Sequence, residues 1–197
     1  LKRYDSSLLT IAGKPADIWI KLTDEYEISE VFTNHDYEPY STKRDAEVDS
    51  LLCSKEIKFN TFKDQVIFEK NEVVKPDGRP YSIYTPYSKT WRAKFSPKNI
   101  EEFPLKEPHI NFYKIKSSIL SLDKIGFKKT GLSFPSKKVR EDIIKNYGNT
   151  RDIPSIDGTS RLSVHLRFGT VSPRKLVKLA LKLNDVWLSE LIWREFF

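Results

Sequence analysis

Methionine is absent from these 197 residues, cysteine occurs once, at Cys53, and histidine only three times. One cysteine excludes an internal disulfide framework and suits a reducing cytoplasm. Beside Leu51 and Leu52, Cys53 reads as a half-buried structural thiol rather than a nucleophile. His35, His109 and His165 lie far apart, with no cysteine or paired carboxylate at ligand spacing, so no metal site is expected. No apolar run approaches the roughly 20 residues that span a bilayer, and no charged-then-apolar leader with a cleavage site is seen. The chain starts at Leu1-Lys2-Arg3 and ends at Trp193-Arg194-Glu195-Phe196-Phe197, within a helical pattern that has no Gly, Asn or Pro stop. We therefore expect an internal piece of a longer protein, inactive by itself.

The net charge of +7 is unevenly spread. Residues 1–96 carry 15 basic and 16 acidic side chains, and residues 137–197 carry 12 and 7. Residues 97–136 carry 7 and 4, so the basic excess lies after residue 96 and favours a polyanionic partner for the C-terminal part. A generally basic soluble surface is the plainer alternative.

Residues 1–95 alternate between strand and helix patterns. Leu8 to Gly13 reads as a buried strand, Pro15 opens a helix with Ile18, Trp19 and Leu22 on one face, and Glu27 to Thr33 is a second strand. A helix follows over Thr42 to Ser54, with Ala46, Val48, Leu51 and Leu52 inward, and then a third strand over Ile57 to Phe62. Strands separated by helices imply right-handed crossovers and a parallel, Rossmann-like sheet. Pro76-Asp77-Gly78-Arg79-Pro80 is a turn, and the aromatics from Tyr81 to Trp91 are expected to pack against the sheet edge. From 96 to 136 the periodicity fails, punctuated by Pro97, Pro104, Pro108 and Pro135. A stretch of this length is too long for an ordinary loop, so it reads as an interdomain connection packed along both domains.

Residues 137–197 are helical in pattern. A helix from Ser136 carries Val139, Ile143, Ile144 and Tyr147 inward and is expected to end at Gly148; alone, Tyr147 reads as a helix-end core residue. Gly158-Thr159-Ser160-Arg161-Leu162-Ser163 then forms a hydroxyl-rich helix start. First-turn N–H groups lack intrahelical partners and bind phosphate readily, although an ordinary capped helix explains the same residues. Gly169 stops this helix, and Ser172-Pro173 restarts one with Ser at the N-cap and Pro at the first helical position. Its inward residues are Leu176, Val177, Ala180, Leu181 and Leu183. In a last helix beginning near Val186, about 100° per residue puts Trp187, Glu190, Trp193, Arg194 and Phe197 on one side. Taken structurally, Glu190 and Arg194 form an i,i+4 ion pair.

Two stretches carry a resemblance: Gly158-Thr159-Ser160-Arg161-Leu162-Ser163 continuing through His165-Leu166-Arg167-Phe168-Gly169-Thr170-Val171-Ser172-Pro173-Arg174, and Glu190-Leu191-Ile192-Trp193-Arg194-Glu195-Phe196-Phe197. Together they resemble the flavin-binding region of the DNA photolyase and cryptochrome family. An Asp-Gly turn leading to Thr85-Pro86-Tyr87 and Trp91 is similar to the end of that family's first domain. The resemblance implies the later part of an N-terminal α/β antenna domain (1–95), a linker (96–136) and the truncated start of an all-α FAD-binding domain (137–197).

It also implies roles. Tyr147, Thr159, Ser160, Arg161, Leu162, Ser163, Trp187 and Arg194 match FAD-binding positions, with the Thr159 to Ser163 segment on the diphosphate. Glu190 matches the carboxyl group that hydrogen-bonds a flipped-out pyrimidine dimer and acts as the catalytic residue, Trp193 the indole that stacks on it, and Arg151 an arginine that approaches DNA. Glu190 together with Trp193 resembles class I cyclobutane pyrimidine dimer photolyases: (6-4) repair enzymes usually have Gln at the first position, and plant-type cryptochromes usually lack the tryptophan. The expected function is light-dependent repair of damaged DNA by electron transfer from reduced FAD, a carbon–carbon lyase activity, in a monomer. A flavin-binding blue-light receptor without repair activity and a basic nucleic-acid-binding module are the alternatives. A second antenna chromophore, of folate or flavin type, is left open, with His35-Asp36-Tyr37-Glu38 beside its pocket. His165 is read as structural or flavin-adjacent.

Overall fold

Side-chain hydroxyls take the place of a strand at the start of the chain. The computed structural model describes residues 1–103 and 111–197, and in it Leu8 to Gly13 pairs with no strand. Ser6 Oγ donates to Tyr113 O (2.8 Å) and Ser7 Oγ to Ile115 O (3.0 Å), while Ser7 Oγ and Thr10 Oγ1 accept from the backbone N–H groups of Ser117 and Leu120 (both 2.7 Å). Ser and Thr side chains compete with main-chain ladders in this way. Leu8, Leu9 and Ile11 consequently remain exposed, against the expected buried strand.

The rest of this part follows the alternating pattern: α1 (Pro15–Glu25), β1 (Glu30–Asn34), α2 (Pro39–Ser54) and β2 (Lys58–Phe62). The two strands pair in parallel, in register from Glu30 opposite Lys58 to Asn34 opposite Phe62. Parallel neighbours need a crossover, and α2 supplies it. Val31, Val48, Leu52 and Ile57 form the core, with Trp19, Ile28 and Phe59 against it. Ala46 and Cys53 are exposed, contrary to the pattern-based reading.

The chain divides into two compact units: Leu1–Phe62 with the described part of Pro104–Ser133, and Lys63–Phe103 with Phe134–Phe197. These units do not coincide with segments 1–95, 96–136 and 137–197. The difference arises at two places: the stretch from Lys63, whose aromatic part after the Asp-Gly turn folds as helix α3 (Tyr84–Lys94) and belongs to the helical unit, and the described part of Pro104–Ser133, which belongs with Leu1–Phe62. Pro86 falls in the first turn of α3, where its missing N–H costs nothing. Pro104, Pro108 and His109 lie outside the described residues.

The helical unit continues with α4 (Glu141–Thr150), α5 (Ser163–Arg167), α6 (Pro173–Leu183) and α7 (Asp185–Phe196). Ser172 Oγ accepts from Lys175 N, and Asn184 Oδ1 accepts from Trp187 N at 3.0 Å, so α6 and α7 start on side-chain caps. Helix α7 packs against α3, α4 and α6. Leu188 and Ile192 are 1% and 0% exposed; burying such a side chain contributes about 1.5–3 kcal/mol. Leu181 points outward instead, 48% exposed. Helix α4 does not stop at Gly148 but runs on to Thr150, and a Cβ at Gly148 would make only ordinary van der Waals contact with Val186 Cγ2, at 3.4 Å. This is a parallel α/β part followed by an all-α part. Among the described residues no helix is long and apolar enough to cross a membrane.

Candidate functional site

Three helices, α4, α5 and α7, and one irregular turn build the site. At the end of α4, Tyr147 and Arg151 stand four residues apart and share a face. After it the chain runs irregularly to α5, whose N-cap is Leu162; Thr159 and Ser160 therefore precede the helix instead of forming its first turn. Arg161 has φ of +50°, a left-handed conformation that turns the chain here.

Gly158 sets this turn against α4. A Cβ at Gly158 would lie 2.7 Å from both Cβ and Oγ1 of Thr150 and 2.8 Å from its carbonyl oxygen. Backbone and a β-branched side chain cannot yield cheaply. Gly158→Ala is expected to cost about 1–3 kcal/mol, read as a lowered urea midpoint. An unchanged midpoint would show that the turn is not pressed onto α4.

A cavity of about 340 Å³ is lined by Tyr147, Ser160, Leu162, Ser163, Leu166, Arg167, Trp187, Glu190, Leu191 and Arg194. A second, of about 510 Å³, is lined by Tyr147, Arg151, Asp152, Glu190, Trp193 and Phe197. Tyr147 and Glu190 belong to both, so the cavities share a wall. On α7 the spacing explains the division: Trp187, Glu190, Leu191 and Arg194 face the first cavity, and Glu190, Trp193 and Phe197 the second, with Glu190 at the seam.

Of the residues matched to a flavin site, Tyr147, Ser160, Leu162, Ser163, Trp187 and Arg194 line the first cavity. Thr159 and Arg161 do not; Thr159 is exposed, and Arg161 Nη2 pairs with Asp157 Oδ1 at 2.8 Å. Arg151, Glu190 and Trp193, matched to lesion contacts, come together in the second cavity. Sequence reasoning missed Leu166, Arg167 and Leu191 in the first cavity and Asp152 in the second; Phe197 it had grouped with Glu190 and Trp193 by helical spacing, without giving it a role. Arg167 was within reach of a helical argument, since it stands four residues after Ser163 on one face.

Charge is concentrated at the seam. Arg151 Nη1 donates to Glu190 Oε1, and Arg151 Nε lies 3.5 Å from Asp152 Oδ1. The ion pair that forms on Glu190 is thus with Arg151, while Arg194 Nη1 donates to Gln65 O at 2.6 Å. Burial holds the Tyr147 phenol above its ordinary pKa, and the Glu190 charge adds to this while Arg151 opposes it. Trp193 stacks on Tyr84 of α3, with centroids 3.6 Å apart and planes 8° from parallel.

His165 stands apart from both cavities. Its Nε2 lies 2.8 Å from Pro135 O, which can only accept, so Nε2 carries the proton; Nδ1 bonds Thr170 Oγ1 at 2.8 Å. The ring is 5% exposed and edge-on to Phe134, a structural role. His35 Nε2 bonds Thr61 Oγ1 at 2.9 Å at the end of the strand pair. Among the described residues, no group of three His, Cys, Asp or Glu gathers as a metal site would require.

Glu195, to which the sequence reading gave no role, is a further organising residue. Its Oε1 accepts from Ile67 N (2.6 Å), and its Oε2 from Phe68 N (3.2 Å) and Trp91 Nε1 (2.6 Å). Burial pushes the carboxyl pKa up, and these three donors oppose the rise.

Comparison with known proteins identifies the family. The family profile described as DNA photolyase matches residues 1–108. The deoxyribodipyrimidine photo-lyase of Synechococcus sp. is 28% identical over 98% of this chain and 46% of its own length; that of Alkalihalophilus pseudofirmus is 29% identical over 100% and 45%. The chain therefore spans about half the length of the curated relatives it matches. Among solved structures, the class III photolyase of Agrobacterium tumefaciens superposes with a TM-score of 0.70 at 23% identity, covering 93% of this chain and 43% of that one. The photolyase of Sulfolobus tokodaii, solved with two FAD molecules, gives 0.65 at 19% identity, covering 100% and 43%. With a profile match over more than half its residues, a shared fold and relatives aligned along nearly its whole length, the chain belongs to the DNA photolyase family.

Proposed function

We propose that this chain supplies the lesion pocket and part of the flavin pocket of a light-dependent enzyme that repairs cyclobutane pyrimidine dimers in DNA, a deoxyribodipyrimidine photo-lyase. The observation that carries this reading is the shared wall: a hydroxyl- and guanidinium-lined cavity and an aromatic, acid-bearing cavity meet at Tyr147 and Glu190.

The first cavity suits part of FAD. Ser160, Ser163, Arg167 and Arg194 supply donors for a diphosphate, and Leu162, Leu166, Trp187 and Leu191 supply apolar surface for a ring system. Reduced FAD, when bound, supplies light absorption and the electron whose transfer to the dimer splits the cyclobutane ring before returning. The chain's own part is binding, orientation and electrostatics. Trp193 offers a π-face for an extruded base, and Glu190 offers a carboxylate acceptor to its polar edge. Arg151, half exposed beside them, suits a backbone phosphate. A dimer pairs poorly with the opposite strand, which lowers the cost of taking it out of the stack. A folate- or flavin-type antenna chromophore near His35 to Glu38 belongs to the same proposal.

The test uses the full-length FAD-loaded protein and a dimer-containing oligonucleotide. Illumination is expected to restore intact pyrimidines, and Glu190→Ala to lower the yield about tenfold with flavin retained, the effect of one lost hydrogen bond to a charged group. Bound flavin without light-dependent dimer loss would replace repair with the light-receptor reading. A colourless full-length protein would remove both.

A further inference from the structure

We propose that Tyr84, on helix α3, is a positioning residue for base stacking: it covers one face of the Trp193 indole and so fixes the plane that the indole presents to the cavity. The proposal rests on the lesion-pocket reading above.

The phenol ring of Tyr84 is stacked on the indole, with centroids 3.6 Å apart and planes 8° from parallel. Trp193 lines the Glu190 cavity and Tyr84 does not, so Tyr84 covers the indole face turned away from it. Tyr84 is itself held. Its hydroxyl donates to Ser189 O at 3.0 Å, one turn before Trp193 on α7. Its ring also meets Phe196 edge-on at 5.9 Å, and Phe196 meets Trp193 edge-on at 5.6 Å. The indole therefore has a ring on its back and a ring at its edge, while Phe197, in the lining of the same cavity, lies 5.4 Å away and 19° from parallel.

A tryptophan on an accessible helix face would otherwise sample several χ1 and χ2 rotamers. Ordering it when a base arrives would subtract from affinity, and a side chain already held in the stacking orientation avoids that loss. The plane is set by α3, more than 100 residues from Trp193 in sequence. The geometry assigns α3 to the pocket even though it contributes no residue to the lining.

The experiment compares Tyr84→Phe, Tyr84→Leu and Trp193→Ala in the full-length FAD-loaded protein. Affinities for a dimer-containing oligonucleotide and for the same undamaged duplex are measured together with repair yield per bound lesion. Tyr84→Phe keeps the stacked ring and is expected to bind the lesion within about twofold of wild type. Tyr84→Leu removes it and is expected to lose about five- to tenfold in lesion affinity, in keeping with the strength of aromatic pairs. Undamaged-duplex affinity and yield per bound lesion are expected to hold, which a general loss of structure would not allow. If Tyr84→Leu unfolds, Tyr84→Met, flexible and closer in volume, makes the same comparison. Equal lesion affinity in the Tyr, Phe and Leu or Met forms, or an equal fall in Phe and Leu, would overturn the proposal while Trp193→Ala still weakens binding. If Trp193→Ala has no effect, the lesion-pocket reading itself fails.

Discussion

Replacing Trp193 with alanine is expected to weaken binding of a dimer-containing oligonucleotide by about 10- to 100-fold, while affinity for undamaged duplex stays within about twofold. Stacking of one base on an aromatic side chain is worth about 1–3 kcal/mol by alanine substitution. Trp193 lines the larger cavity with Glu190 and Arg151, and its opposite face is already occupied by Tyr84. Its removal takes away the stacking surface without touching the basic side chains available to phosphates. Fluorescence anisotropy with lesion-bearing and lesion-free oligonucleotides separates the two affinities. A parallel loss on both would mean that the indole only holds the helices together, and no loss on either would remove it from recognition.

The second large effect is on stability. Glu195→Ala is expected to cost about 3–5 kcal/mol, because it strips an acceptor from three donors at once: the backbone N–H groups of Ile67 and Phe68 and the indole N–H of Trp91. Each buried donor left without a partner costs about 1–3 kcal/mol, and Trp91, 1% exposed, has no access to replacement water. The pH dependence has a definite sign. Burial raises the folded pKa of Glu195 above its unfolded value, so the folded state holds the proton more tightly. The contribution of this group is fully present below the unfolded carboxylate pKa and is lost as pH rises through the raised folded value. Wild type should therefore gain stability relative to Glu195→Gln as the pH is lowered from neutral. Urea midpoints followed by tryptophan fluorescence measure both effects. A difference between wild type and Glu195→Gln that is flat in pH, or that grows with rising pH, would contradict the assignment.

How far the sequence foretold the structure depends on the range of the interactions. Pro15, the β1 and β2 segments and the Ser172-Pro173 start are set by nearest neighbours, and their patterns were legible. So was the grouping of Glu190 and Trp193, because helical spacing alone puts them on one side of α7. Leu8 to Gly13 misled because the hydroxyls of Ser6, Ser7 and Thr10 bond a segment more than 100 residues away, which no local pattern reveals. Tyr81 to Trp91 was expected to pack against the sheet edge because aromatic content signals burial without saying which element covers it; the stretch from Tyr84 folds as α3 in the helical unit. Arg161 was expected to face a ligand with its neighbours, but its left-handed backbone and the Asp157 carboxylate turn it aside. Glu195 was given no role. Its importance lies in donors 104 to 128 residues earlier.

The reach of Glu195 bears on how the protein is made. Trp91 receives its carboxylate partner 104 residues later, which at a synthesis rate of about 5–20 residues per second is a wait on the order of 5–20 s. During that interval the apolar side of α3, with Tyr87 and Trp91, has left the ribosome without the helix that will cover it. Leu1–Phe62 has both of its strands and both of its helices in hand far sooner. Nascent chains stalled before α7 would thus present a sticky aromatic surface, which the last turn of α7 closes.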